Sequence, residues 1–520
     1  MSEVTTQSRL KSVGVHASAW CAKRPSNPVA ADVRRLKLTE IKKSEPPHVG
    51  CYEPGLRTLL VLTAFASATL SLSAGTYNVG PGQPLTTPSD VPWESLDAGD
   101  TVCIHWRAEA YCNKWVIYRQ GTREHPIIVE GIPGPEGQLP VIDGKNATTR
   151  KQLNYTHEQR SVIKIGSAFG PKGTMAKHIW IRNLEIRNGR PPFEYQGRIA
   201  NGKYLKFAAG IFVDEAEHVH ISNCTIQNNA LGINSSGLAR DLLVEYCHIH
   251  SNGIEKGGMA HNCYINGIGA TFQFNRFGPL RKDCQGVNFK SRAAGTVFRY
   301  NWVQGGSHCI NIPESRTKAV LDDPGYRQTF VYGNVLIKDD RHANNQVIQY
   351  GGELGDPNWY RKGVLYFFNN TVIVDRSMGT VLFHVSTPDE TVDCRNNIFY
   401  QARKGGNLAV LAKSAKIHVQ NNWFSDNWRM TFQSHPSPTL LALNHSGTDP
   451  GFRDAATSDF HLIDGSPCVN VPGKLTDAVH SHRSIPYQYL SHQQREPRPN
   501  VDVASESIDL GAFGFKPINP

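Results

Sequence analysis

The chain has little of what helical, zinc-bound or membrane-embedded proteins are built from. Among its 520 residues only 5 are Met, which argues against a helix-rich core packed with that flexible side chain. Its 11 Cys include no CxxC pair, and the Cys/His spacing fits no zinc pattern. Charged residues are 19% and hydrophobic residues 39%. That is too much hydrophobe for a disordered chain, and it is too scattered for a polytopic membrane protein. Turn formers are plentiful instead, with 46 Gly and 31 Pro and no low complexity. The length exceeds an ordinary single domain, so several domains or one elongated architecture is expected. A secreted or soluble β-rich protein fits these figures better than a coiled coil or a transporter.

Residues 58–74 read TLLVLTAFASATLSLSA and follow Arg57. A positive flank, an apolar stretch and a run of small residues predict a secretory signal peptide over 57–74, with cleavage near Ser73 or Ala74. The alternative is a membrane anchor with a short cytoplasmic tail. Residues 1–56 are polar and basic and show no period of 2 or 3.6, so they are expected to be a non-native or disordered leader, the native start lying near Val49. Loss of 1–74 removes ten Lys/Arg and five Asp/Glu from a net charge of +10 and leaves +5. No basic run survives in the remainder. An acidic polymer is therefore the expected partner, with no nucleic acid and no membrane after cleavage. Cys21 and Cys51 fall in the removed part; Cys103 and Cys112, close in sequence, are expected to pair in an oxidising compartment, secreted or periplasmic.

The strongest signal is a repeat. Alternating apolar residues, a turn residue and an apolar pair recur in HIWIRNLEI (178–186), HVHISNCTI (218–226), TVFRYNWV (296–303), TFVYGNVL (329–336), KIHVQNNWF (416–424) and related segments. Aligned, they put Leu184, Cys224, Cys247, Asn275, Asn301, Asn334, Asn370, Asn397 and Asn422 in one column. A period of roughly 23–40 residues means one supersecondary unit per repeat, and alternation at period 2 means strands. No helices intervene, which disfavours leucine-rich and ankyrin arrays, and the intervals are too short for four-stranded propeller blades. A parallel β-helix solenoid remains. Its Asn column is expected at a tight turn that needs the left-handed conformation, and as a ladder of stacked amides. Residues 75–150 are expected to be an N-terminal cap with the first coils, 151–448 the solenoid, and 449–520 a closing segment, with 480–500 a surface loop.

Two adjacent coils are unusually polar: MAHNCYINGIG (259–269) and CQGVNFKSRAAG (284–295). Aligning Gly269 with Gly295 sets His261, Asn262, Tyr264 and Asn266 one coil from Gln285, Asn288, Lys290 and Arg292, with His308 next. Such a group suits β-elimination on a uronate. An Arg neutralises the carboxylate, a base takes the weakly acidic C5 proton, and an acid protonates the leaving oxygen. Lys290 is the expected base, its pKa lowered by neighbouring cations. Arg292 is the carboxylate clamp and Tyr264 or His261 the acid. Asn262, Asn266, Asn288 and His308 are candidate substrate-binding residues. The plainer reading of the Lys–Ser–Arg triplet is solvated surface, and of Asn262 and Asn266, turn residues.

The arrangement HNxYxx…GxxxKSRA resembles a motif of bacterial right-handed parallel β-helix proteins of the pectate-lyase-like superfamily. The opening VGPGQPLTTPSD…DAGDTVCIH and the ending DFHLIDGSPC…DLGAFGF are similar to the same group. The resemblance implies an all-β right-handed parallel β-helix active on polysaccharide. The chain also resembles the alginate and chondroitin lyases of that superfamily, in which a Lys on a Lys–Ser step is the base; Lys290-Ser291 matches. Where those enzymes carry an Arg–His–Gly step, this chain has Ser307-His308-Cys309. The resemblance also implies calcium held by an Asn and two Glu residues, but the positions before the Lys290 strand are Asp283 and Gln285, so only Asp283 is offered as a metal ligand.

A polysaccharide lyase is thus the leading expectation, acting as a monomer. A uronate epimerase would share its proton abstraction. A glycoside hydrolase needs two carboxylates, and the polar coils supply only Asp283. A non-catalytic polysaccharide-binding solenoid would use the aromatics of WFSDNW (423–428) and DPNWYR (356–361), which equally suit lids over coil edges.

Overall fold

A computed structural model describes residues 74–166, 175–412, 415–433, 439–473, 475–480, 485–499 and 507–517. The expected leader, the expected signal peptide up to Ser73, and Cys21 and Cys51 lie outside the described residues.

Alternating apolar residues make short strands whose inner side chains need a partner, and stacking coil on coil supplies one. The chain winds through three walls. One turn runs Ala216–Ser222, Thr225–Gln227, Leu231–Ser235 and returns to Arg240–Glu245. The first wall has 13 strands from Thr76–Val79 to Thr439–Ala442, the second 14, and the third 11 from Val141–Asp143 to His445–Gly447. Among the described residues all pairings in the walls are parallel except one hairpin, Glu194–Gln196 with Asn201–Lys203. On the second wall Ile163, Ile211, Ile233, Cys263, Phe289, Ile310, Ile348 and Phe383 stack as one inward file, all at most 1% exposed. The neighbouring file, one residue on, points outward and carries the chemistry described below.

The asparagine column forms the expected ladder between the first and third walls. Asn301 shows its unit: its backbone N–H and its Nδ2 both donate to Asn334 Oδ1, at 2.9 and 3.1 Å, and Nδ2 also reaches the Phe272 and Arg299 carbonyls. The same pattern passes through Asn275, Asn334, Asn370, Asn397 and Asn422 and ends on Asn444. Cys247 and Cys224 continue it with thiols: the Cys224 N–H meets Cys247 Sγ at 3.5 Å, and Cys247 Sγ donates to the Ile221 carbonyl at 3.8 Å. The turn differs from expectation by one residue. The left-handed backbone belongs to the residue before each ladder position, among them Asn183, Asn223, Tyr246, Phe274, Tyr300, Gly333, Asn369, Asn396 and Asn421. The ladder amide must face inward to reach the next coil, so the strained position passes to its neighbour. Where that neighbour is aromatic, stacking holds it: Tyr246 on Phe274 at 5.2 Å and Phe274 on Tyr300 at 5.1 Å.

The expected Cys103–Cys112 disulfide is not formed; both are free thiols. Cys103 sits in Thr101–His105 of the first wall, between Asn78 and Glu130 in register, while Cys112 precedes Asn113–Ile117 of the second wall. Nine residues are enough to turn the corner of the solenoid, which puts the two on different walls.

The first coil already begins at Thr76, and a loop carrying Trp93, stacked on Trp115 at 4.7 Å, packs over the coil end. The described residues of 449–515 do not simply close the far end. They run back along the outside of the third wall, where Phe452, Phe460, Leu462, Tyr489 and Phe513 cover Trp302, Val335, Ile373, Ile398 and Trp423. Within 480–500, Tyr487–Leu490 and Gln494–Pro497 form a hairpin rather than a plain loop.

Candidate active site on the second wall

The outward file of the second wall reads Lys164, Phe212, Asn234, Tyr264, Lys290, Asn311, Gln349 and His384 in register. Tyr264 and Lys290 are therefore direct neighbours one coil apart, as the alignment of the two polar coils expects. Lys290 lies in Phe289–Ser291, and Arg292 follows the strand end.

Arg292 is nearly buried and heavily bonded. Its Nε donates to the Tyr264 hydroxyl at 2.8 Å, its Nη1 donates to the Glu314 carbonyl and lies 3.5 Å from the Glu314 carboxylate, and its Nη2 pairs with Glu353. Lys290 Nζ meets the same Glu353 at 2.5 Å, and Asn311 donates to the other Glu353 oxygen at 3.2 Å. Glu314 is fully buried, and both its oxygens accept backbone N–H groups, from Glu353 at 2.9 Å and Leu354 at 2.8 Å. Arg361, also fully buried, donates to the carbonyls of Ser291, Ala293, Pro313 and Tyr326, and so ties the Lys290 strand end to the next coil. Lys290, Arg292 and Arg361 against Glu314 and Glu353 leave this group one positive charge in excess.

Lys290 is held below the ordinary lysine pKa. Burial is the main cause; Glu353 opposes it, and the expected cationic neighbour, Arg292, is a smaller contributor. Glu353 stays below the ordinary glutamate range because Lys290 and Arg292 outweigh its burial.

The other expected residues part company. His261 is 2% exposed; its Nδ1 accepts the Val287 N–H at 3.1 Å, and burial pushes its pKa well below the usual range. Its ring packs edge-on against Tyr264 at 5.6 Å, so it supports that ring from within the wall, and of the two candidate acids only Tyr264 stands in the outward file. Asn262 and Asn288 are fully buried and belong to a second ladder, Asn229–Asn252–Asn262–Asn288, between the third and second walls. They face no solvent. Asn266 is half-buried; its Oδ1 accepts from Ser315 Oγ at 3.1 Å. His308 is 7% exposed, hydrogen-bonded through Nε2 to Gln346 at 2.9 Å, and burial lowers its pKa to about 4. Asp283 is exposed, and its carbonyl, not its carboxylate, accepts the Lys256 N–H. Among the described residues, the His/Asp/Glu group whose ligand atoms come within 4.8 Å of one another is Glu217, His218 and Asp241 on the first wall. Asp283 is not part of it, and no step below runs through a metal.

Sequence reasoning did not find Glu314, Glu353 and Arg361, which lie 22, 61 and 69 residues beyond Arg292. A usable signal exists: each carboxylate follows a second-wall strand, Ile310–Ile312 or Gln346–Tyr350, by two or three residues. Of the aromatics proposed as sugar platforms, those of 423–428 behave as lids, with Trp423 and Phe424 buried and Trp428 stacked on Phe424 at 4.3 Å, while Trp359 and Tyr360 are half-buried and Arg316 lies over the Trp359 ring at 4.6 Å.

The winding, the ladders and this wall define a right-handed parallel β-helix. A family model described as right handed beta helix region matches residues 141–323. No curated protein matches the chain. Among solved structures, it is similar to pectate lyase Pel9A at 11% identity, over 86% of this chain and 98% of that one, with a TM-score of 0.47. It is also similar to a lacto-N-biosidase from Eubacterium ramulus (12% identity, 72% and 68% covered, TM-score 0.43) and to an alginate lyase from Paenibacillus (12%, 68% and 95%, TM-score 0.32). Among the described residues no helix is long and apolar enough to cross a membrane.

Proposed function

We propose that this chain is a secreted or periplasmic enzyme that cleaves an acidic, uronate-containing polysaccharide by β-elimination. The observation that carries the reading is the pairing of Tyr264 with Lys290 in one outward file, with Arg292 at the strand end directing its Nε to the Tyr264 hydroxyl at 2.8 Å.

A uronate carboxylate is held beside the Arg292 guanidinium. Neutralising it acidifies the C5 proton and stabilises the enolate-like charge that follows. Lys290, with its lowered pKa, accepts the C5 proton as a neutral amine. The C5–H electron pair becomes the C4=C5 double bond, and the C4–O bond breaks. Tyr264 gives its proton to the departing oxygen, and the resulting phenolate is stabilised by the Arg292 N–H already directed at it. Glu353 holds Lys290 and Arg292 in place in the free enzyme.

The structure supplies the pair of carboxylates that a hydrolase would use, Glu314 and Glu353. Yet Glu314 is fully buried, with a backbone N–H on each oxygen, so it is not placed to activate a water from solvent. Elimination is favoured on that ground; epimerisation shares its first step.

The test is a panel of uronate polymers incubated with purified protein. Rising absorbance from unsaturated ends, lost in Lys290→Ala, is the expected result. New reducing ends without that absorbance would instead mean hydrolysis, and binding without cleavage a non-catalytic solenoid.

A further inference from the structure

Three strands from Lys290 toward the N-terminus, the same wall opens into a cleft of about 250 Å³ lined by Arg160, Phe207, Phe212, Asn234, Tyr264 and Asn266. The register Phe212–Asn234–Tyr264–Lys290 sets its floor in line with the candidate active site. At ~4.8 Å per strand, Phe212 lies about 14 Å from Lys290. Tyr264 belongs to both places.

Arg160 is the unusual member. Its guanidinium lies over two rings, 4.6 Å from the Phe212 centroid and 5.5 Å from Phe207. Its Nε is buried without a hydrogen-bond partner, and it has no ion pair among the described residues. Asp214, the carboxylate that also lines the cleft, is already taken by Lys164 at 3.1 Å. A planar fork of donors held over aromatic rings is pre-organised for a carboxylate and has none of its own. Phe207, 41% exposed beside it, offers an apolar face of the kind that packs against the C–H face of a sugar ring.

We infer that this cleft is a second uronate subsite, in which Arg160 binds the carboxylate of a sugar further along the chain whose bond is cut beside Lys290. The inference rests on the proposed function and narrows its substrate. The preferred polymer carries free carboxylates on closely spaced sugars, as in an unesterified polyuronate block, rather than isolated or esterified uronates.

The test compares wild type with Arg160→Gln and Phe207→Ala on a polyuronate and on the same polymer after methyl esterification, with circular dichroism and the thermal midpoint confirming the fold. Arg160→Gln is expected to raise KM on the free-acid polymer about tenfold, equivalent to the loss of one good charged contact, while kcat falls less than twofold. It should also erase most of the wild type's preference for the free acid, and Arg160→Lys should restore part of it. If KM and the preference stay within twofold of wild type, the subsite is overturned while the elimination reading stands. If wild type neither cleaves nor, by calorimetric titration with free-acid oligomers, binds any uronate, both fail together.

Discussion

A lysine buried beside a glutamate is governed by two opposed effects: burial disfavours its charge, and the carboxylate favours it. At Lys290 burial wins, so the amine loses its proton at a lower pH than an exposed lysine. If the neutral amine is the base, activity rises with pH through that folded-state pKa. Glu353→Gln removes the influence that raises it, so the acidic limb of the kcat/KM profile is expected to move to lower pH. The same change leaves Lys290 and Arg292 short of a partner and is expected to cost about 3 kcal/mol of stability, read from denaturant midpoints. A limb that stays put or moves to higher pH would remove Lys290 from the role of base. Tyr264→Phe keeps the ring that packs on His261 but deletes the proton donor. Single-turnover rates are expected to fall about 10²–10⁴-fold with little change in binding. A fall of less than threefold would mean that another group, or water, protonates the leaving oxygen.

At the scale of the element, the two ladders separate what could be read from sequence and what could not. The first was legible because Asn275, Asn301, Asn334, Asn370, Asn397 and Asn422 share one phase within a strand–turn–strand pattern, and each needs the next to satisfy its amide. The second passes through Asn252 and Asn262 in a single coil, only 10 residues apart, and then Asn288. Its irregular spacing hides it, and Asn262 and Asn288 looked like solvent-facing ligands because their coils are polar. The pairing of Tyr264 with Lys290 was legible from the Gly269–Gly295 alignment. Glu314, Glu353 and Arg361 were not, because they sit in loops whose course depends on insertions with no period. Gly286 marks another local demand: a Cβ there would lie 1.6 Å from the Ala260 carbonyl oxygen, so the chain before the Lys290 strand can approach its neighbour only as glycine. Asn334→Ala deletes an oxygen that receives two bonds from Asn301 and an amide that serves the Phe298 and Tyr332 carbonyls. At about 1–3 kcal/mol for each buried group left unpaired, a loss of at least ~3 kcal/mol is expected. Hydrogen exchange should show the faster opening confined to the coils carrying Asn301, Asn334 and Asn370. Uniform or absent change would show that the ladder is not a local clamp.

For the whole molecule, the third wall poses the problem that the site wall does not. A solenoid wall with polar outer residues can face water, but the third wall turns Trp302, Val335, Ile337, Ile373, Ile398 and Trp423 outward. Left bare, that stripe would be a contiguous apolar surface of the kind that drives association. The segment after residue 449 covers it and is pinned along its length rather than at one end. Asn369 donates to the Asp509 carbonyl at 3.0 Å, Ala512 N–H to Thr371 Oγ1 at 3.0 Å, Gly511 N–H to the Asn396 carbonyl at 2.8 Å, and Gln493 to the Tyr246 carbonyl at 3.3 Å. These contacts reach back from the coil of Asn396 to that of Tyr246. They brace the coils that carry Lys290, Glu314 and Glu353 from the opposite side of the solenoid. A chain ending at residue 448 keeps every residue of the candidate site, yet is expected to bind a hydrophobic dye and to scatter light at concentrations where the full chain is clear. Adding residues 449–520 in trans should reverse both effects if the segment acts by covering the stripe. A truncated chain that stays monomeric and dye-free would show that the third wall tolerates water, and that the strap serves some end other than shielding it.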